Sequence, residues 1–332
     1  MIQEIRIKNY LSFRDEVVLS FEATKDTTFE ECQVANVTPK VRLLRFALIY
    51  GANASGKSNL LKAMDFLRDF WFDKKSDIDE ETGVVPFLLD TETPNEPSEF
   101  NIKFFVGDKR YWYALVLDDK QVIKEDLYVY NSVQPSLVFS RELDGTASLI
   151  KLNASLVKAN ATIVEQLNVK CLSNMSFFAA RNQVNCSLAY IDEVRDWMKN
   201  NMMPIIEPGT RMFEYAGKQM EKNAELKAYI LDFVHKADYN ITDVYTEREK
   251  MPIPDFVKAS IMEDKDIPEK AKEKMLADNA LERLRTDFQH TVKNKRGEEN
   301  YRLPNSLQSE GTKRTFGIEA AIYEAIKTNG IL

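Results

Sequence analysis

Residues 45–64 read RFALIYGANASGKSNLLKAM, and this stretch constrains the fold more than any other. Gly51 to Ser58 follows the phosphate-binding pattern G-x-x-x-x-G-K-[ST]. Phe46, Ala47, Leu48, Ile49 and Tyr50 form a continuous apolar run, which predicts a strand over 41–50 buried on both faces. Leu60, Leu61, Met64 and Leu67 recur at helical spacing and predict a helix over 57–72. Gly51 and Gly56 let the backbone curl so that several N–H groups converge on one phosphate. The start of the helix adds the positive end of its dipole. Lys57 can reach the β- and γ-phosphates, and the Ser58 hydroxyl can ligate Mg²⁺. The competing reading, a glycine-rich turn that binds nothing, leaves the apolar run before it and the helix after it unexplained.

The remaining chain divides by periodicity. Residues 2–22 read as two strands flanking the polar turn at Arg14–Glu16. Residues 73–83 read as a charged loop. Residues 98–130 alternate and turn at Gly107-Asp108 and Asp118-Asp119, which predicts an antiparallel meander. Residues 136–152 add a hairpin around Asp144-Gly145. From about residue 154 the pattern is helical, with amphipathic helices predicted over 187–202 and 224–238. Residues 263–288 are dense in both charge signs and read as a solvated helical arm. A last hairpin is expected from DFQHTV and NYRLPN around KNKRGEE.

A second anion site is suggested by Ser309-Glu310-Gly311-Thr312-Lys313, just before a helical pattern with Phe316, Ala320, Ile322, Tyr323 and Ile326. A serine hydroxyl, a permissive glycine and free helix-start amides suit an anion, and they equally suit a plain helix cap.

Taken with the loop, this segment resembles the ABC-type signature, which reads S-G-G-Q in transporters and S-E-G-T here. The opening IQEIRIKNYLSFRDEVVLSF is similar to the first strands of RecF-like and SMC-like ATPase heads. The combination of IYGANASGKSNLLKA, FFAARNQVN (177–185) and QSEGTKRTF resembles a bacterial family of ABC-like AAA ATPases associated with phage defence. That family includes the RloA-type ATPases and the ATPase of PARIS-type modules. The resemblance runs from residue 2 to residue 332. It implies an α/β, ABC-type P-loop ATPase head with an antiparallel β-subdomain and a helical insertion. The implied division is an N-terminal ATPase lobe over 1–185, a helical insertion over 186–300, and a signature segment with its helix over 301–332. ATP and Mg²⁺ are the implied cofactors, with Asn53, Ala54, Ser55 and Asn59 joining Gly51, Gly56, Lys57 and Ser58 at the nucleotide. The resemblance also implies a head-to-tail homodimer or higher oligomer. Ser309 and Gly311 of one subunit then face the γ-phosphate held by the other, and the system's effector is a separate nuclease-like protein.

An ATPase of this class needs an apolar strand ending in Asp-Glu, the Walker B strand, soon after the signature helix. The Asp orders Mg²⁺ and the Glu aligns the attacking water. The sequence reaches Gly330-Ile331-Leu332 where that strand is due, so a longer native chain is expected, with Ile331 and Leu332 either unpaired at an open sheet edge or completed by a further segment. AYIDEV (189–194) contains Ile-Asp-Glu, but inside a helical pattern. Cys32, Cys171 and Cys186 lack C-x-x-C spacing and read as free thiols. No apolar run approaches the about 18 residues of a membrane span, and the opening is unlike a secretory signal, so a cytoplasmic location is expected. The net charge of −7 gives no global basic footprint for nucleic acid. Lys293, Lys295, Arg296, Lys313 and Arg314 remain candidates for phosphate contacts, against a reading as solvated surface. Two further functions stay open: a RecF/SMC-like DNA repair or recombination ATPase, and a transporter motor, which the meander and the charged insertion suit poorly.

Overall fold

The computed structural model describes residues 1–237, 240–264, 267–277 and 280–332. Residues 238, 265, 266, 278 and 279, which fall in the two expected helical spans, lie outside the described residues. The chain forms two compact units, one of residues 1–205 with 329–331, the other of residues 206–328 with 332.

In the first unit the elements run β1 (Ile2–Lys8), β2 (Val17–Ser20), α1 (Glu30–Gln33), β3 (Val34–Thr38), β4 (Val41–Leu44), α2 (Lys57–Phe70), β5 (Ser98–Val106), β6 (Lys109–Leu117), β7 (Val122–Tyr130), β8 (Ser136–Asp144), β9 (Ala147–Leu152), α3 (Ala161–Lys170), α4 (Phe177–Arg181) and α5 (Ile191–Asn201). Seven strands make one sheet in the order β2-β1-β5-β6-β7-β8-β9, and β3 and β4 pair separately. Every pairing in these sheets is antiparallel. The expected meander and the hairpin around Asp144-Gly145 are thus present, because strands joined by short turns pair readily with their chain neighbours. Phe100, Phe104, Tyr111, Tyr113, Leu115, Leu127 and Phe139 of this sheet are fully buried. Helix α2 covers it with Leu60, Ala63, Leu67 and Phe70, which lie on one helical face. Phe66 of α2 stacks on Phe100 of β5 with centroids 5.2 Å apart. Helix α5 packs on the same sheet, its Trp197 stacked at 4.3 Å on Phe104. All three cysteines are unbridged, and burial pushes the Cys171 thiol up.

Two sequence expectations fail in this unit. The strand expected over 41–50 ends at Leu44, and residues 46–50 carry no secondary structure. Phe46, Leu48 and Tyr50 are 68, 74 and 89% exposed. A strand buried on two faces needs strands beside it and layers above and below it. No strand described here pairs with residues 46–50, so the apolar run lies outside every ladder. Ile331, expected to be unpaired or completed by a further segment, instead bridges Met202 in parallel: its N–H donates to Asn201 O at 2.6 Å, and its carbonyl accepts Met203 N–H at 2.9 Å.

The second unit contains α6 (Met212–Lys222), α7 (Ala224–Lys236), β10 (Asp243–Pro252), α8 (Asp255–Glu263), α9 (Glu269–Ala277), β11 (Ala280–Asn294), β12 (Gly297–Pro304) and α10 (Glu310–Thr328). The three strands form an antiparallel sheet, β10-β11-β12, that includes the expected final hairpin. Its core gathers Ala216, Met220, Leu226, Ile230, Val244, Phe288 and Phe316. Of the solvated helix expected over 263–288, the described residues are helical at Glu263, the last residue of α8, and over 269–277, whereas 280–288 is strand. Leu284, Thr286 and Phe288 share one face of β11, with Arg285 and Asp287 on the other. Dense charge on the outer face hides this period of two.

Helices α6 and α10 touch at Gly317. A Cβ there would overlap Met212 Cβ and lie 2.7 Å from the Met212 carbonyl carbon. Gly317→Ala should therefore force the helices apart and cost about 1–3 kcal/mol. Urea unfolding should show a lower midpoint than wild type, and an unchanged midpoint would refute the tight crossing.

Candidate functional site

The loop Gly51–Gly56 leads directly into α2, whose first helical residue is Lys57. Gly56 is the N-cap, in left-handed conformation at φ 89°, and Ala54 is left-handed too at φ 62°. No side chain caps this helix, and its first turn holds no acidic residue. The opening amides of a helix have no intrahelical partner. At three other helices that need is met by a side chain: Asn160 caps α3, Ser176 caps α4 and Asn223 caps α7. Helices α1, α5, α6 and α8 also lack a side-chain cap, but each carries an acidic residue in its first turn. At α2 the start is cationic, partly exposed and uncapped. Lys57 folds back over the loop, its Nζ donating to Gly51 O at 3.0 Å and Ala52 O at 2.6 Å. Ser58 is exposed at the next position.

Gly51, Asn53, Ala54, Ser55, Gly56, Lys57, Ser58 and Asn59 are therefore brought together on one exposed loop and a partly exposed helix start. Asn59 is turned aside, its Nδ2 donating to Ser12 Oγ at 2.9 Å. Ser12 and its neighbour Phe13 were not legible as site residues. They lie in the turn after β1, far upstream, and only the fold sets them against Gly56. A Cβ on Gly56 would lie 2.7 Å from Phe13 Cε1 and 2.8 Å from Ser12 Oγ. Position 56 thus requires glycine for its backbone angle and for this contact.

Ser309 and Gly311 belong to the second unit. Ser309 caps α10, its Oγ accepting Thr312 N–H at 3.0 Å and lying 2.8 Å from Thr312 Oγ1. Arg314 of the same helix is held by the carbonyls of Pro208 and Glu207, at 2.6 and 3.2 Å. The Ile-Asp-Glu of AYIDEV opens α5 and is no strand. Asp192 pairs with Arg181 at 2.8 Å and Arg195 at 3.2 Å. Glu193 accepts from Lys109 at 2.8 Å and from the Tyr111 hydroxyl at 3.1 Å. The FFAAR half of FFAARNQVN is buried, and Arg181 ties down the carbonyls of Val184 and Cys186 at 2.8 and 2.6 Å.

Residues 46–151 match the family model described as "AAA domain, putative AbiEii toxin, Type IV TA system", a span under half of the chain. The match begins at the apolar run before the loop and includes the meander. It supports an AAA-type, P-loop ATPase domain, a class that implies nucleotide binding, typically with Mg²⁺. Comparison with curated proteins gives no match. Among the described residues, no helix is long and apolar enough to cross a membrane.

Proposed function

We propose that the chain binds Mg²⁺–ATP at Gly51–Asn59 and works as an ABC-like ATPase subunit. The observation that carries this is the start of α2: uncapped, partly exposed, free of acidic residues in its first turn, and bearing Lys57 beside the loop carbonyls. Such a start favours a polyanion, because the Lys57 and Ser58 amides and the helix dipole point outward there, the Asn59 N–H being held by Gly56 O at 2.9 Å. The loop amides and Lys57 would hold the phosphates, and Ser58 would hold the metal. The metal, when bound, neutralises charge developing on the transferred phosphoryl group.

The finer reading is a sensor or scaffold of an anti-phage defence system that controls a separate nuclease-like effector. Its support is the resemblance of the three motifs, together with the toxin-related description of the matching family. In this reading ATP occupancy drives head-to-tail self-association, with Ser309 and Gly311 facing the partner's nucleotide. The run Phe46–Tyr50 becomes a paired strand in the working assembly, which removes its apolar side chains from water.

The test is sedimentation of the full chain with and without Mg²⁺–ATP, beside a calorimetric titration. Saturable binding and a doubled mass with ATP are expected. Ser309→Arg should bind ATP normally yet stay unpaired. Absence of binding would reject the nucleotide site. Binding without a mass change would reject ATP-driven association. Turnover stimulated by duplex DNA would favour the repair ATPase over the defence role.

A further inference from the structure

The turn between β1 and β2 is built as a platform. Asn9 and Leu11 both hold left-handed backbone, at φ 51° and 50°. Tyr10 and Phe13 exchange two backbone hydrogen bonds of 2.9 Å each. Asn9 is buried, and its side chain is fully used: Nδ2 donates to Thr93 O and Glu96 O at 2.8 Å, and Oδ1 accepts Phe87 N–H at 3.0 Å. Leu11 N–H donates to Val85 O at 2.9 Å. Strain of this kind persists only where the surroundings over-determine it.

The platform grips the start of α2 at several successive points. The edge of Phe13 and Ser12 Oγ occupy the space beside Gly56. Ser12 Oγ accepts from Asn59 Nδ2. The Tyr10 hydroxyl donates to Lys62 O at 3.3 Å, and its ring packs on Phe66 with centroids 5.7 Å apart. Lys57 and Ser58 sit between the first two grips. Asn59 thus spends its side chain on the platform, although it follows directly on the phosphate and metal residues.

We propose that Ser12 is a positioning residue for the nucleotide site, acting through Asn59 to fix the first turn of α2. The inference rests on the reading of Gly51–Asn59 as an ATP site. Ser12 need not touch the nucleotide. Its hydroxyl sets the helix rotation at which the Lys57 and Ser58 side chains leave the backbone. A link to a rigid turn matters here because the loop itself is exposed and has few internal bonds.

The experiment is a double-mutant cycle on Mg²⁺–ATP affinity in the full chain, with Lys57→Ala as reference and melting temperature measured for every variant. Ser12→Ala and Asn59→Ala should each weaken binding about fivefold, the loss of one modest hydrogen bond. The double variant should be no weaker than either single one, because both remove the same link. Ser12→Thr, which keeps the hydroxyl, should bind as wild type. Melting temperatures should stay near wild type, since the bond is at the surface. Additive losses would mean that Ser12 or Asn59 contacts the nucleotide directly, and would overturn the proposal. So would Ser12→Ala binding at wild-type strength while Lys57→Ala binds weakly. Wild-type protein that fails to bind would instead remove the ATP site itself, and this inference with it.

Discussion

Lys57→Ala should lower Mg²⁺–ATP affinity about 10- to 100-fold while leaving the fold intact. Both halves of this expectation come from the same geometry. The Lys57 ammonium bonds only to two carbonyls of its own loop, Gly51 O and Ala52 O. Water can replace it there, so little stability is at stake. With phosphate present, the same ammonium becomes a charge-assisted donor. Removing such a bond costs about 1.5–3 kcal/mol, and each 1.4 kcal/mol is about tenfold in affinity. Lys57→Arg should not restore binding. The guanidinium is a broad planar fork, whereas the loop offers a pocket for a point charge folded over two carbonyls. Calorimetric titration of wild type and both variants, each with a melting curve, decides the matter. A folded Lys57→Ala protein that binds ATP as wild type does would show that the motif is only a turn.

What the sequence made legible follows from how local each signal is. The loop and helix start were legible because G-A-N-A-S-G-K-S is contiguous and its chemistry is written in residue types. The strands β5 to β9 were legible because they are rich in β-branched and aromatic residues, β5 and β6 largely alternate, and the connections carry turn residues such as Gly107-Asp108. Residues 46–50 misled because a continuous apolar run reports burial demand, not the partner that meets it. The segment stays exposed for want of a ladder. Residues 280–288 misled for the opposite reason: charges on the outer face of β11 drowned the alternation of Leu284, Thr286 and Phe288. Ser12 and Phe13 carried no signal as site residues, because their contact with Gly56 exists only once the turn after β1 is folded. The same holds for buried charge. Nothing in the sequence marks Glu125 and Arg141 among the other Glu and Arg residues of the meander. Register alone makes them cross-strand partners.

That pair supports the largest stability change expected for the first unit. Glu125 on β7 and Arg141 on β8 are both fully buried, with the Arg141 Nη1 3.3 Å from Glu125 Oε2. The carboxylate is surrounded by donors. Oε1 accepts from the Tyr113 hydroxyl at 2.9 Å and the Ser176 hydroxyl at 2.7 Å. Oε2 accepts from Phe177 N–H at 2.8 Å as well as from Arg141. Arg141 spends its other donors on the carbonyls of Met175, Leu172 and Ser173, at 2.7, 2.8 and 3.1 Å, and on Ser148 Oγ at 3.1 Å. The network therefore ties four strands to the loop that starts α4. An ionised carboxylate is acceptor-only and suits four donors; an amide is not. Glu125→Gln keeps the shape but turns an NH₂ towards two donors, and it leaves a buried guanidinium without its countercharge. The expected loss is about 3–5 kcal/mol, a large share of the about 5–15 kcal/mol that keeps a domain folded. Replacing the pair by apolar residues should not rescue stability. The Met175 carbonyl and the Phe177 N–H would lose these partners, and the Tyr113 and Ser176 hydroxyls would lose their acceptor, while Ser173 O would keep only its bond from Val122 N–H at 2.8 Å. Glu142→Gln, on the same strand as Arg141 but half-exposed and 4.0 Å from Lys124, is the control and should change stability by less than about 0.5 kcal/mol. Urea unfolding followed by the near-ultraviolet signal of the aromatic sheet core separates the two. Equal midpoints for Glu125→Gln and Glu142→Gln would mean that the buried network contributes no more than a surface pair.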